Sequence, residues 1–159
     1  MIRDIRRNGA QPKDTMHKAG VALVTGMGVV IKDATTVALP SAETVANIYV
    51  ATKERVPSGI NAARTDMSDY DDDFVNIAKD EFLGLERYTD GEKFATDQFK
   101  TSDFTETVKD GTPLSVGQDG KWQKLTTGSS KYVYEKPFKD NGHDLIMIRV
   151  EADAVEQGE

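Results

Sequence analysis

The chain has 159 residues, no cysteine, a formal net charge of −7 and 38% hydrophobic residues, enough for one domain with a real core. The lack of cysteine excludes disulfides, thiolate nucleophiles and cysteine-ligated zinc, so stability must come from packing or assembly. The acidic balance argues against nucleic-acid binding by the body, because phosphate contact needs a concentrated positive face.

Residues 1–19 depart from that balance. Arg3, Arg6, Arg7, Lys13 and Lys18 stand there against only Asp4 and Asp14. Ile2, Ile5 and Met16 are too few to bury a helix, so the segment reads as an extended basic arm, solvated in an isolated chain and ordered on a partner. Its five cations are the candidate partner-binding residues, suited to carboxylates on another protein. The opening residues lack the apolar run of a secretory signal, and Gly20 to Ile31 is too short to cross a bilayer as a helix. The expectation is a protein made in the cytoplasm with no membrane partner.

Residues 20–150 read as one β-rich domain. Gly20 to Leu39, rich in Val, Ile and Thr, predicts two or three short strands with a bend near Gly26 and Gly28. Its VALVTGMG stretch looks like a dinucleotide-binding turn, but the third glycine is replaced by Ile31 and no helix pattern follows. Ala46 to Lys53 predicts a strand, and Pro57-Ser-Gly59 opens a loop holding Asp66, Asp69, Asp71, Asp72 and Asp73. Counted from Asp69, Asp71 and Asp73 take calcium-loop positions, yet Phe74 stands where such a loop needs glycine and Asp80 where it needs glutamate. A solvated acidic loop is the plainer reading.

From Phe74 to Phe104, Phe82, Leu83, Leu85, Tyr88, Phe94 and Phe99 recur between polar residues, which predicts short strands with core aromatics. Val108 to Leu125 places apolar positions on both sides of Asp119-Gly120, the dipeptide of a tight hairpin. Asp90-Gly91, Asp110-Gly111 and Asn141-Gly142 repeat that signal. Asp144 to Val150 predicts a strand buried on both faces over Leu145 to Ile148, and residues 151–159 read as a mobile acidic tail. The fold class is therefore mainly β, a single antiparallel β-barrel or β-sandwich with an extended N-terminal arm.

Catalytic and metal-binding motifs are missing. His17 and His143 stand in no metal-ligand spacing, no G-x-S-x-G elbow accompanies Ser129 or Ser130, and Trp122 alternates with polar neighbours as a half-buried strand residue does. The expectation is no catalytic residue, no cofactor and no metal.

The order of elements resembles the small β-rich head decoration, or capsid cement, proteins of tailed bacteriophages. The resemblance rests on Asn47-Ile-Tyr-Val-Ala-Thr52, Arg87-Tyr-Thr-Asp-Gly-Glu-Lys-Phe94, Val108 to Gly117 and Asp119-Gly-Lys-Trp122. It implies a non-enzymatic virion protein on the capsid surface, oligomeric there, that fastens neighbouring major capsid protein subunits together. A lattice would turn many weak contacts into firm retention. Two other classes fit a β-rich chain: a carbohydrate-binding or fibre-like virion module, favoured by a cleft around Trp122, and a small enzyme, favoured by a pocket of converging titratable groups.

Overall fold

A computed structural model of the chain describes residues 1–9, 13–54, 72–104 and 108–158. These form strands β1 (Ile2–Arg6), β2 (Lys18–Ala19), β3 (Leu23–Val24), β4 (Gly28–Ile31), β5 (Thr36–Ala38), β6 (Tyr49–Lys53), β7 (Asn76–Ile77), β8 (Leu83–Glu86), β9 (Lys93–Thr96), β10 (Leu114–Val116), β11 (Trp122–Lys124), β12 (Ser129–Asp140) and β13 (His143–Glu156). One helical turn, α1 (Asp72–Val75), and a 3-10 turn at Thr101–Asp103 are the only helical pieces among the described residues. The fold is mainly β, with sheets packed face to face as in a sandwich.

Glycine-containing turns reverse the chain where their backbone freedom is needed. Asn141 and Gly142 adopt φ of 47° and 82° and join β12 to β13 through a two-residue turn flanked by Asp140 and His143. Gly120, at φ 75°, turns β10 into β11, where Leu114, Ser115 and Val116 face Lys124, Gln123 and Trp122. In the first sheet, ordered β1-β9-β13-β12, Ile146 and Ile148 of β13 pair with Thr96 and Phe94 of β9. Leu145 to Ile148 are buried on both faces, as their unbroken apolar run predicts.

Strand alternation sends β6 into two cores. Val50 packs with Phe94, Trp122, Tyr132, Ile146 and Ile148, while Ala51 packs with Ala19, Leu23, Val37, Leu83 and Leu85. The second core lies against a sheet ordered β2-β5-β4-β6-β8. Its outer strands are drawn together, because Leu85 and Asp14 exchange backbone hydrogen bonds at 2.7 and 3.2 Å and Leu83 donates to the His17 carbonyl at 3.2 Å. β2 and β5 run parallel, a departure from the all-antiparallel expectation.

Several expectations change. Trp122 is fully buried rather than half-buried, and its indole N–H donates to the Gly26 carbonyl at 3.3 Å. Phe82, expected in the core, is 52% exposed. The strand predicted from Ala46 begins only at Tyr49, because Asn47 takes φ 54° and breaks the extended run. Residues 151–156 continue β13, with Val155 and Glu156 opposite Ser130 and Ser129, so the segment read as a loose tail is largely strand. Asp66, Asp69 and Asp71 lie outside the described residues, while Asp72 begins α1.

The largest correction concerns the arm. It is extended, but residues 2–6 form an edge strand whose Ile2, Arg3 and Asp4 face Thr96, Ala95 and Phe94. The Met1 ammonium is buried, donating to the Thr25 carbonyl at 2.7 Å and to the Asp97 carboxylate at 2.5 Å. Gly26, at φ 98°, lets the chain pass, since a Cβ there would sit 2.7 Å from the Met1 carbonyl oxygen.

Candidate functional site

The five cations predicted to meet a partner go to different places. Arg3 binds Asp140 at 2.6 Å, across the sheet at the tip of the β12–β13 hairpin. Arg7 lies within 3.6 Å of both Glu86 and Glu92 and 4.2 Å above the Tyr88 ring. Lys13 reaches Glu54 at 2.8 Å and Glu86 at 3.0 Å. Lys18 lies 4.8 Å from the centre of the Phe82 ring. Arg6 is exposed and makes no ion pair with a described residue.

Glu86 therefore brings Arg7 and Lys13 together, while Arg3, Arg6 and Lys18 stand apart from that group. Its most buried member is Glu92, which accepts backbone N–H groups of Asn8 at 2.9 Å and Thr89 at 2.7 Å. Burial raises the Glu92 carboxyl, but those donors and the Arg7 guanidinium outweigh it and hold the group below its ordinary range. Lys13 shows the same competition with opposite sign: burial lowers its ammonium, and Glu54 and Glu86 hold it above its ordinary value. The Tyr88 hydroxyl, desolvated and donating to Asp4 at 2.5 Å, is pushed well up. The arrangement is a clamp fastening the leader to its own domain. Sequence reasoning missed the carboxylates, because Glu86, Glu92 and Asp140 lie between 73 (Lys13 to Glu86) and 137 residues (Arg3 to Asp140) from the cations they hold and only folding makes them neighbours.

A separate cleft of about 690 Å³ opens between the segment before β6 and the loop joining β8 to β9. Ile48, Tyr88, Tyr132 and Val150 line it from the first core, and Asn47, Arg87, Thr89, Asp90 and Lys131 supply polar groups. Lys131 pairs with Asp90 at 3.2 Å across the rim. Arg87 is exposed and has no hydrogen bond or ion pair to any described residue. Burial pushes the Tyr132 hydroxyl up to about 12, against an opposing pull from Arg87. Neither region joins a nucleophile to a base, and no group of residues suited to hold a metal ion occurs among the described residues.

His17 is buried, with Nδ1 3.0 Å from Asp14, whereas His143 is exposed beside its turn. No helix among the described residues is long and apolar enough to cross a membrane. Compared with protein-family models, curated proteins and solved structures, the chain matches none.

Proposed function

We propose that this is a non-enzymatic virion structural protein that binds the outer surface of a phage capsid and stabilises contacts between major capsid protein subunits. The observation carrying the reading is that the segments resembling decoration proteins fall on strands and turns whose Val50, Phe94, Leu114, Val116 and Trp122 share one core. Asn47 to Thr52 leads into β6, Arg87 to Phe94 turns into β9, and Val108 to Trp122 makes the β10–β11 hairpin. A rigid β module sitting as an oligomer on a repeating lattice gains retention from many weak contacts, with little ordering cost at each.

The clamp changes how attachment would work. Arg3, Arg7 and Lys13 are held by carboxylates of the same chain, so a partner meets a folded surface rather than a free arm. Arg6 is the exposed cation of the leader that has no ion pair with a described residue, and Lys18, half-buried, lies over the exposed Phe82. A carbohydrate-binding reading loses the aromatic it would rely on, because Trp122 is enclosed in the core.

The test is co-sedimentation of the purified chain with shells assembled from a major capsid protein of a tailed bacteriophage, followed by electron microscopy. The expected result is ordered extra density on the outer surface and a raised shell melting temperature. A chain that stays in the supernatant over a broad concentration range overturns the reading.

A further inference from the structure

The cleft beside Arg87 is built differently from the clamp around Arg7. In the clamp Arg7 and Lys13 each have a carboxylate; in the cleft Arg87 has none among the described residues. Asp90, the cleft's own acid, is engaged by Lys131 and its backbone carbonyl by the Asn8 side-chain amide at 2.7 Å. The Arg87 guanidinium is exposed at the mouth of the cleft, and a planar two-oxygen anion matches its paired donors best. Ile48, Tyr132 and Val150 of the first core close the bottom of the cleft, and its apolar side chains open to solvent are Val45, half-buried, and Ala46, exposed. On the rim, Asn47 takes φ 54°, in the left-handed region.

We propose that this cleft docks an acidic peptide segment of a partner protein. The Arg87 guanidinium pairs with an Asp or Glu carboxylate of that segment, and a neighbouring apolar side chain packs against Val45 and Ala46. Lys131 contributes a second, weaker attraction, because its own pair with Asp90 is exposed and readily exchanged for another. A peptide fits better than a neutral sugar, since the cleft combines a cation with no carboxylate among the described residues with the apolar Val45 and Ala46, and presents no exposed aromatic face for a sugar ring: Tyr88 and Tyr132 are both buried. The molecule as a whole is acidic, so attraction cannot come from its long-range field and must be made by these two side chains at contact. The inference does not depend on the capsid reading.

The test uses the full chain, labelled with nitrogen-15 and titrated with the peptide acetyl-Glu-Leu-Glu-Leu-Glu-amide. The analogue with lysine in place of each glutamate and a neutral maltose oligomer serve as controls. Amide shifts are expected at residues 45–48, 87–90 and 131–132 with the acidic peptide alone. Arg87→Gln should weaken binding about tenfold, the effect of losing one charge-assisted pair, while Arg87→Lys keeps part of it. Because Arg87 bonds to no described residue, both variants should keep the wild-type spectrum away from the cleft, and that spectrum is the folding control. Shifts that are absent, spread evenly over the surface, equal with the lysine peptide, unchanged by Arg87→Gln, or reproduced by the maltose oligomer would overturn the proposal.

Discussion

The first and last strands belong to the same four-stranded sheet, yet opposite kinds of contact keep them there. β12 and β13 are neighbours in sequence, joined by a two-residue turn and paired from Asp140↔His143 to Ser129↔Glu156. β1 pairs with β9, about ninety residues away, and depends on a buried ammonium, an Arg7–Glu92 contact and a glycine that lets the chain through. A hairpin closes a short loop and is specified locally, whereas the leader can bind only once β9 is in place. Damage should therefore stay local in the hairpin and spread from the leader.

The largest effect follows from removing each end in turn. Deleting residues 1–18 takes away β1, Arg7 and half of β2, and leaves Glu92 buried without its cation. The expected cost exceeds about 5 kcal/mol, comparable with the whole stability of a domain, so the thermal transition should lose its cooperativity. Truncation after Val150 removes the distal pairing of β13 and should cost about 1 kcal/mol. Circular dichroism melts of the two truncations decide it. An intact cooperative melt without residues 1–18 would restore the view of a dispensable arm.

Two glycines sharpen the contrast. At Gly26 an added Cβ meets the Thr96 hydroxyl and the Met1 carbonyl, at φ 98°; at Gly142, φ 82°, it meets nothing within 4 Å. Gly26→Ala combines strain with a clash against backbone and should cost about 3 kcal/mol. Gly142→Ala carries strain alone, about 1 kcal/mol. Urea midpoints measure both. Equal losses would mean that the leader does not press on Gly26.

Charge gives a smaller separation with a pH signature. Glu92→Gln removes the buried partner of Arg7 and should cost about 2 kcal/mol at pH 7. Burial raises the Glu92 carboxyl, but the Asn8 and Thr89 N–H groups and Arg7 hold it below its ordinary 4.5. Its contribution is thus complete above that value and disappears as pH falls through the lower folded-state value. The gap between wild type and variant should close in acid. Glu135, in β12, is likewise raised by burial and lowered further by Lys93 at 2.6 Å and by Arg149. It is partly exposed, so Glu135→Gln should show the same trend with smaller amplitude.

The same comparison explains what could be read from the residues. Asn141-Gly142 and Asp119-Gly120 specify turns through backbone conformations that few residues adopt, and the apolar run Leu145 to Ile148 specifies a doubly buried strand, so the hairpins were legible. The leader was not. Counting its apolar groups tests whether a segment can bury a helix, but an edge strand needs only a free neighbouring edge, which β9 supplies. Glu86 and Glu92 carry no local mark of their cations. Trp122 looked half-buried because its neighbours are polar, yet those neighbours point to the other face of a short strand whose inner face meets Phe94 and Tyr132 at ring-centre distances of 5.4 and 5.1 Å.

The smallest expected effect comes from a pair of adjacent cations. Arg7→Glu sets a third acid beside Glu86 and Glu92 and should destabilise the fold strongly. Arg6→Glu lies on the exposed side, opposite Lys93 in the β1–β9 register, where an acid exchanges like charges for opposite ones. Its unfolding free energy should therefore stay within about 0.5 kcal/mol of wild type. That near-neutrality makes Arg6 useful: because the fold does not need it, any loss of shell co-sedimentation in Arg6→Glu reports on docking alone. Undiminished co-sedimentation would instead place attachment elsewhere on the folded surface, leaving the leader a purely structural role.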